Sequence, residues 1–210
     1  ESPAVQKNDS FIKRISDSQI HIFAVIWLTG MFLSLLALIA GYVNLIRKVH
    51  KTSVIVDCPE IKRYTKRKII VRAGNHLASP FVIGFFRPIL VLPSEKLSKD
   101  QLDHILRHEL THLKRNDLLY KWFAAIVRCV HWFNPMAYLI VRQINTECEI
   151  SCDDATVANM NEKEKQSYMN TILTLLSRAK TQNMPLTTGM TGSKKILKRR
   201  FIMIYNKKRT

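Results

Sequence analysis

The sequence is short of acidic residues, glycine, proline and cysteine. Asp and Glu total 16 against 33 Lys and Arg, so the formal net charge is 33 − 16 = +17. Only 6 Gly and 7 Pro in 210 residues exclude a collagen-like or low-complexity chain. Only 4 Cys disfavour a disulfide-stapled secreted scaffold. Apolar residues make up 47%, which excludes disorder of the chain as a whole and supplies one sizeable core. They are unevenly spread, which argues against a simple soluble globule.

Charged residues are missing altogether from Ser18 to Ile46. As a helix, the 27 residues Ile20–Ile46 span roughly 40 Å, and a bilayer core needs about 30 Å. The spacing predicts a transmembrane helix over 20–46. A buried core helix is the alternative. A cleaved signal peptide fits worse, because the stretch is too long and no small-residue cleavage site follows. Arg47, Lys48, Lys51, Lys62, Arg63 and Lys66 follow it, whereas only Lys7, Lys13 and Arg14 precede it. The positive-inside bias therefore predicts a cytoplasmic C-terminal side and an extracytoplasmic loop or tail over 1–19. There Cys58, Cys129, Cys148 and Cys152 stay reduced. Cys148 and Cys152 are four apart, as metal ligands on a helix could be, but no CxxC accompanies them, and they are expected as packed free thiols. The chain begins with Glu1 and is read as a fragment, with 206–210 its basic end.

Further along, alternation in Lys68–Arg72 predicts the start of a strand. Pro80, Pro88 and Pro93 bracket two short apolar runs, and proline there predicts edge strands. Leu97–Lys114 reads as a helix, with Ser98 and Gln101 forming a capping box. Asn134-Pro135 splits the apolar stretch Leu118–Val141 into two helices, buried or membrane-contacting, the second running to about Ala158. Residues 162–180 form one further amphipathic helix. Gly189 and Gly192 punctuate a loop in the tail.

His108-Glu109-Leu110-Thr111-His112 is an HExxH motif inside the predicted helix 97–114. Residues four apart share a helical face, so His108 and His112 can reach one ion. Glu109 is displaced by about 100° and can reach a metal-bound water without replacing it. Zinc lowers that water's pKa towards about 7. A catalytic zinc needs a third protein ligand and an open position. Glu149 is the best placed, with Asp153 one turn on along the same face, suited to hydrogen-bond a ligand His. Glu147, on a different face, is its rival. Asp117 is a further group able to support a ligand, or else an ordinary helix-end residue. His104 shares the His108 face and stays outside the metal set.

HELTHLKRND, HWFNPMAYLIVRQ and ECEISCDDA together resemble the BlaR/MecR-type sensor-transducer metallopeptidases, membrane proteins that signal β-lactam exposure. SPFVIGFFRPILVLP is similar to that family's segment upstream of the zinc helix. The resemblance covers roughly residues 20–205. It implies an α+β, gluzincin-like zinc protease domain over 47–205, mostly helical with a small edge-strand sheet and at least one transmembrane helix. His108, His112 and Glu149 would bind Zn²⁺, and Glu109 would be the catalytic base. It also implies a multi-pass cell-membrane protein with a cytoplasmic protease and an extracellular penicillin-binding sensor. No SxxK accompanied by a KTG stands in this chain, so it resembles a middle fragment or a relative lacking the sensor.

The family is thought to cut itself and then cause loss of a DNA-binding repressor. KKILKRRF is similar to its self-cleavage region, making Arg199–Arg200 a candidate bond; a basic, membrane-proximal stop is the alternative. Ile89, Leu90, Val91 and Leu92 are expected as the edge strand that receives extended substrate. Expected partners are membrane lipids, the protein substrates and a second copy in a homodimer, with no direct nucleic acid. The basic residues cluster in 47–72 and 194–209, where anionic headgroups can meet them. No DNA-binding motif or aromatic-basic interleaving is present. Two rival readings are a non-catalytic membrane signalling module with a structural zinc site, and a CAAX-processing or quality-control membrane protease, which lacks the ECEISCDDA context.

Overall fold

The computed structural model describes residues 3–74, 79–84, 86–181 and 194–206; Gly189, Gly192 and, of the basic end 206–210, residues 207–210 lie outside them. The order is α1 (Pro3–Thr52), β1 (Ser53–Ile55), a short 3-10 helix (Pro59–Arg63), β2 (Ile70–Gly74), β3 (Phe81–Ile83), β4 (Ile89–Pro93), α2 (Lys99–Arg115), α3 (Asp117–Val130), α4 (Pro135–Val157), α5 (Glu162–Thr181) and α6 (Lys194–Asn206). The protein is mostly helical with one small mixed sheet.

Helix α1 contains a stretch, Gln19–Thr52, long and apolar enough to cross a membrane. Its Ile20, Phe23, Phe32 and Leu33 are exposed. Within the segment expected as a loop or tail over 1–19, the described residues from Pro3 onward are helical. Pro3 sits in the first turn, where it costs nothing, and no Gly or Pro interrupts the residues up to Ile20. Once nucleated, a helix propagates cheaply. The other end enters the folded domain, where Val49 packs with Ile83 and Val91. Buried Arg72 closes this end. Its guanidinium donates to the Ser53 hydroxyl and to the carbonyls of His50 and Ser53, taking up acceptors that the helix terminus leaves free.

The sheet runs β1-β2-β4-β3. β2 and β4 are parallel, with Ile70 opposite Ile89 and Gly74 opposite Pro93. β3 is antiparallel to β4, with Phe81 opposite Val91. Ile89–Leu92 is therefore not the edge strand expected from its prolines. It pairs on both sides, and Leu90 and Val91 are fully buried. Pro88 and Pro93 bound the strand rather than interrupt it, so no interior N–H is lost. The edges among the described strands are β1 and β3.

α2 lies on this sheet. Ile105, Leu106 and Leu110 join Val71, Leu90 and Leu92 in one apolar cluster with Leu175 of α5. Each fully buried side chain of this kind contributes roughly 1.5–3 kcal/mol. α2 starts where the sequence predicted: the Ser98 hydroxyl accepts from the Gln101 amide, and the Gln101 side chain accepts from the Ser98 amide. It ends at Asn116, whose φ of 57° is left-handed and turns the chain sharply into α3. Asn134 caps α4 by accepting from the Met136 amide, with Pro135 in the first turn. The turn between α3 and α4 is seated on α1: Trp27 Nε1 donates to the Val130 carbonyl, and Trp132 Nε1 donates back to the Trp27 carbonyl. The outer face of this helix pair is apolar and exposed, including Phe123, Phe133, Leu139 and Ile140. α5 and α6 close the far side in a second cluster.

Candidate metal centre

Four elements build the site. α2 supplies His108, Glu109 and His112, α4 supplies Glu149 and Asp153, the start of α3 supplies Asp117, and α5 supplies Tyr168. The His108 and His112 Nε2 atoms stand 3.2 Å apart. The two oxygens of the Glu149 carboxylate divide between them: Oε2 lies 3.6 Å from His108 Nε2 and Oε1 lies 3.6 Å from His112 Nε2. Ligands about 2.0–2.1 Å from a tetrahedral zinc lie about 3.3 Å from one another. The three donors are thus spaced close to what one such ion requires.

The second ring nitrogens fix the tautomers. The Nδ1 of His112 lies 2.7 Å from Asp117 Oδ2. The Tyr168 hydroxyl donates to Asp153 Oδ1 at 2.8 Å, so its oxygen accepts from His108 Nδ1 at 2.7 Å. Asp153 Oδ1 itself is 3.3 Å from that nitrogen. With both Nδ1 atoms carrying hydrogens, both Nε2 lone pairs face each other at 3.2 Å. Only a proton or a cation between them relieves that opposition. The donor set therefore fits a metal ion.

The electrostatics agree. Burial opposes a charge on His112, but its contacts with Asp117, Cys152 and Glu149 outweigh it and push its pKa up to about 11. His108 is raised well above the ordinary range: burial opposes, and Tyr168, Cys152 and Asp153 prevail. Burial disfavours the Glu149 carboxylate, yet His108, His112 and Lys121 hold it well below the usual range. Lys121 Nζ donates to Glu149 Oε1 at 3.1 Å. The site concentrates negative charge around a place for a cation.

Glu109 is buried and lines the same cleft as His108, His112 and Glu149. Pro80, Phe81, Val82 and Gly84, at and beside β3, line that cleft as well. Gly84 has φ +83°, and a Cβ there would meet the Arg87 carbonyl oxygen at 2.6 Å, so this rim requires glycine.

The geometry sorts the sequence candidates. Glu149 reaches the histidines; its rival Glu147 pairs instead with Gln143 and Arg199 at the surface. Asp117 and Asp153 each stand at a ring nitrogen, as their spacing suggested. His104 is buried against the Thr171 hydroxyl, away from the ligand atoms. All four cysteines are free thiols. The Cys152 sulfur comes near both histidines, making a His-His-Cys grouping. It lies, however, on the Nδ1 side of His108 and donates to that residue's carbonyl at 3.3 Å. Glu149 stands on the Nε2 side, where the two histidines face each other. Arg199 and Arg200 fall within α6, and Arg200 is buried with its guanidinium on Asp153. Ile89–Leu92 does not line the cleft; β3 does. Sequence reasoning missed Tyr168 and Lys121. Neither sits in a motif, and only the crossing of α5 and α3 over the site brings them in.

HExxH on one helix with a carboxylate donor from a later one is a peptidase arrangement, here attached to a helix able to span a bilayer. The chain belongs to the BlaR1 peptidase M56 family, whose model matches residues 2–204. It is 32% identical over 198 residues to a regulatory protein BlaR1 of Bacillus licheniformis, covering 88% of this chain and 32% of that protein. It is 24% identical over 163 residues to a methicillin resistance mecR1 protein of Staphylococcus aureus, covering 73% of this chain and 28% of that protein. A regulatory protein BlaR1 of Staphylococcus aureus is 27% identical over 143 residues, 66% of this chain and 24% of that protein. The chain thus spans about a third or less of the curated relatives it matches.

Proposed function

We propose that this chain is the zinc endopeptidase portion of a membrane signal transducer. The convergence of His108 Nε2, His112 Nε2 and the Glu149 carboxylate within 3.2–3.6 Å, with Glu109 in the same cleft, carries this reading. His108, His112 and Glu149 hold the ion, and Asp117, Tyr168 and Asp153 fix the rings that face it. Bound there, zinc supplies a Lewis acid for the scissile carbonyl and acidifies water. Glu109 takes the proton of the attacking water and delivers it to the leaving amine. Substrate enters as an extended strand along β3, whose residues line the cleft and which has an unpaired side among the described strands.

The family and the names of the relatives support a regulatory role. In that role the protein converts a β-lactam-type signal into self-cleavage and proteolytic loss of a DNA-binding repressor. The Arg199–Arg200 bond can serve as the self-cleavage point only if α6 unwinds, since peptidase clefts take extended chain. The protease faces the cytoplasm of a multi-pass cell-membrane protein, following the basic residues after α1. The exposed apolar face of α3 and α4, continuous with α1 at Trp27 and Trp132, lies against lipid. The protein works without direct nucleic-acid contact and can act as a homodimer.

The test compares wild type with Glu109→Gln in membranes, by zinc content and by intact mass before and after exposure to a β-lactam. Both forms should hold about one zinc, the number three ligands and one open position accommodate. Only wild type should be cut, and the mass locates the bond. Zinc in both, with neither form cutting itself or a protein substrate, would leave a non-catalytic signalling module. No zinc in either sinks the metallopeptidase reading.

A further inference from the structure

We propose that Arg200 is a positioning residue of the metal centre: it anchors Asp153, and through Asp153 and Tyr168 it holds the His108 imidazole, so that α6 belongs to the ligand scaffold. This rests on the metallopeptidase reading above.

The sequence presents Arg199 and Arg200 as a dibasic pair, but α6 separates them. Leu197, Phe201 and Ile204 recur at helical spacing and pack with Val157, Met160, Tyr168 and Ile172. Arg200 lies on this inward face and is 3% exposed. Arg199 points outward, is about half exposed and pairs with Glu147 at 2.9 Å.

A buried arginine is costly, and apolar side chains of similar volume commonly stabilise such positions better. Docking of α6 alone gives no reason for one. The reason lies in what the guanidinium touches. Its Nε donates to Asp153 Oδ2 at 2.5 Å and its Nη2 to Asp153 Oδ1 at 2.9 Å, the two-pronged geometry that orients a carboxylate. Asp153 is fully buried. Without a cation it would take up a proton or turn away. Its Oδ1 accepts the Tyr168 hydroxyl, and the Tyr168 oxygen meets His108 Nδ1. A chain of contacts thus runs from α6 to a ligand histidine, and the ring that faces the metal is oriented from a helix 92 positions further along the chain (200 − 108).

The experiment uses the full-length membrane protein in detergent, in a Glu109→Gln parent that cannot cut itself. Zinc affinity is measured by competition with a chelator, alongside thermal unfolding. Arg200→Ala should weaken zinc binding roughly 10- to 100-fold, the usual cost of losing a group that orients a ligand. Arg200→Lys should fall between, since an ammonium lacks the fork. Lys198→Ala, one residue from Arg199 on the outer face, should bind as the parent does.

If Arg200→Ala unfolds the protein, Asp153→Asn alone is compared with Asp153→Asn plus Arg200→Met, which leaves no orphan charge. Equal zinc affinity of these two, both below the parent, supports action through Asp153. A further loss in the double variant overturns it. A folded Arg200→Ala that binds zinc as tightly as the parent overturns the proposal while leaving the metallopeptidase reading standing. A parent that binds no zinc overturns that reading, and this one with it.

Discussion

Asp117 Oδ2 stands 2.7 Å from His112 Nδ1, five residues away across the left-handed turn at Asn116. The helix that bears His108 and His112 thus ends in the turn that holds the His112 ring. Asp117→Asn keeps the shape and removes the charge that makes the ring basic. Zinc affinity should fall roughly tenfold or more with little change in unfolding temperature. Chelator competition reads this directly. Unchanged affinity in the folded variant would show that the contact has no part in metal binding.

The proton and the metal compete for His112. Its pKa, raised from 6.5 to about 11, means that the imidazole carries a proton through the neutral range whenever no other cation is bound. Raising the pH towards 11 removes that competitor, so apparent zinc affinity should climb with pH, by up to about tenfold per unit for each proton released. Zinc added to weakly buffered metal-free protein near pH 7 should acidify the solution. A pH indicator checks this, and no proton release would contradict the arrangement.

Asp153 gives a pH dependence at the acid end. Its pKa falls from 3.8 to about 2, because contact with Arg200, and then with His108, outweighs its burial. A depressed carboxyl stabilises the fold fully above its unfolded value and loses that contribution as pH falls through the folded one. The contribution is about 2 kcal/mol, lost between about pH 4 and pH 2. Denaturant midpoints of the metal-free protein should drop across that window, and Asp153→Asn should flatten the drop. Parallel curves for the two proteins would show that Asp153 is not the titrating group.

Gly30 is the point where α1 meets the α3–α4 turn. A Cβ there would lie 2.2 Å from the Trp132 ring, which is itself tied by Nε1 to the Trp27 carbonyl. Gly30→Leu should force the turn off α1 and cost roughly 1–3 kcal/mol, as overpacking does. A clear fall in unfolding temperature in detergent is expected. Gly41, with open space where a side chain would go, is the control position. Equal melting of Gly30→Leu and Gly41→Leu would argue against this seating.

Sequence alone determined what depends on near neighbours. The uncharged run in α1, the Ser98–Gln101 capping box, the Asn134-Pro135 break and the HExxH spacing are all set within a few residues, by helical periodicity and local hydrogen bonds. Asp117 could be named because it stands five residues after His112, and Asp153 because it lies one helical turn after Glu149 on the same face. What tertiary structure decided lies beyond that range. β4 is an interior strand because β2 pairs with it in parallel, nineteen residues away at Ile70↔Ile89 (89 − 70), and prolines at its ends do not announce this. Tyr168 reaches His108 across 60 residues and Arg200 reaches Asp153 across 47. Such contacts leave no periodic mark in the chain. They exist because burying the apolar faces of α5 and α6 also brings one hydroxyl and one guanidinium to the buried carboxylate behind His108.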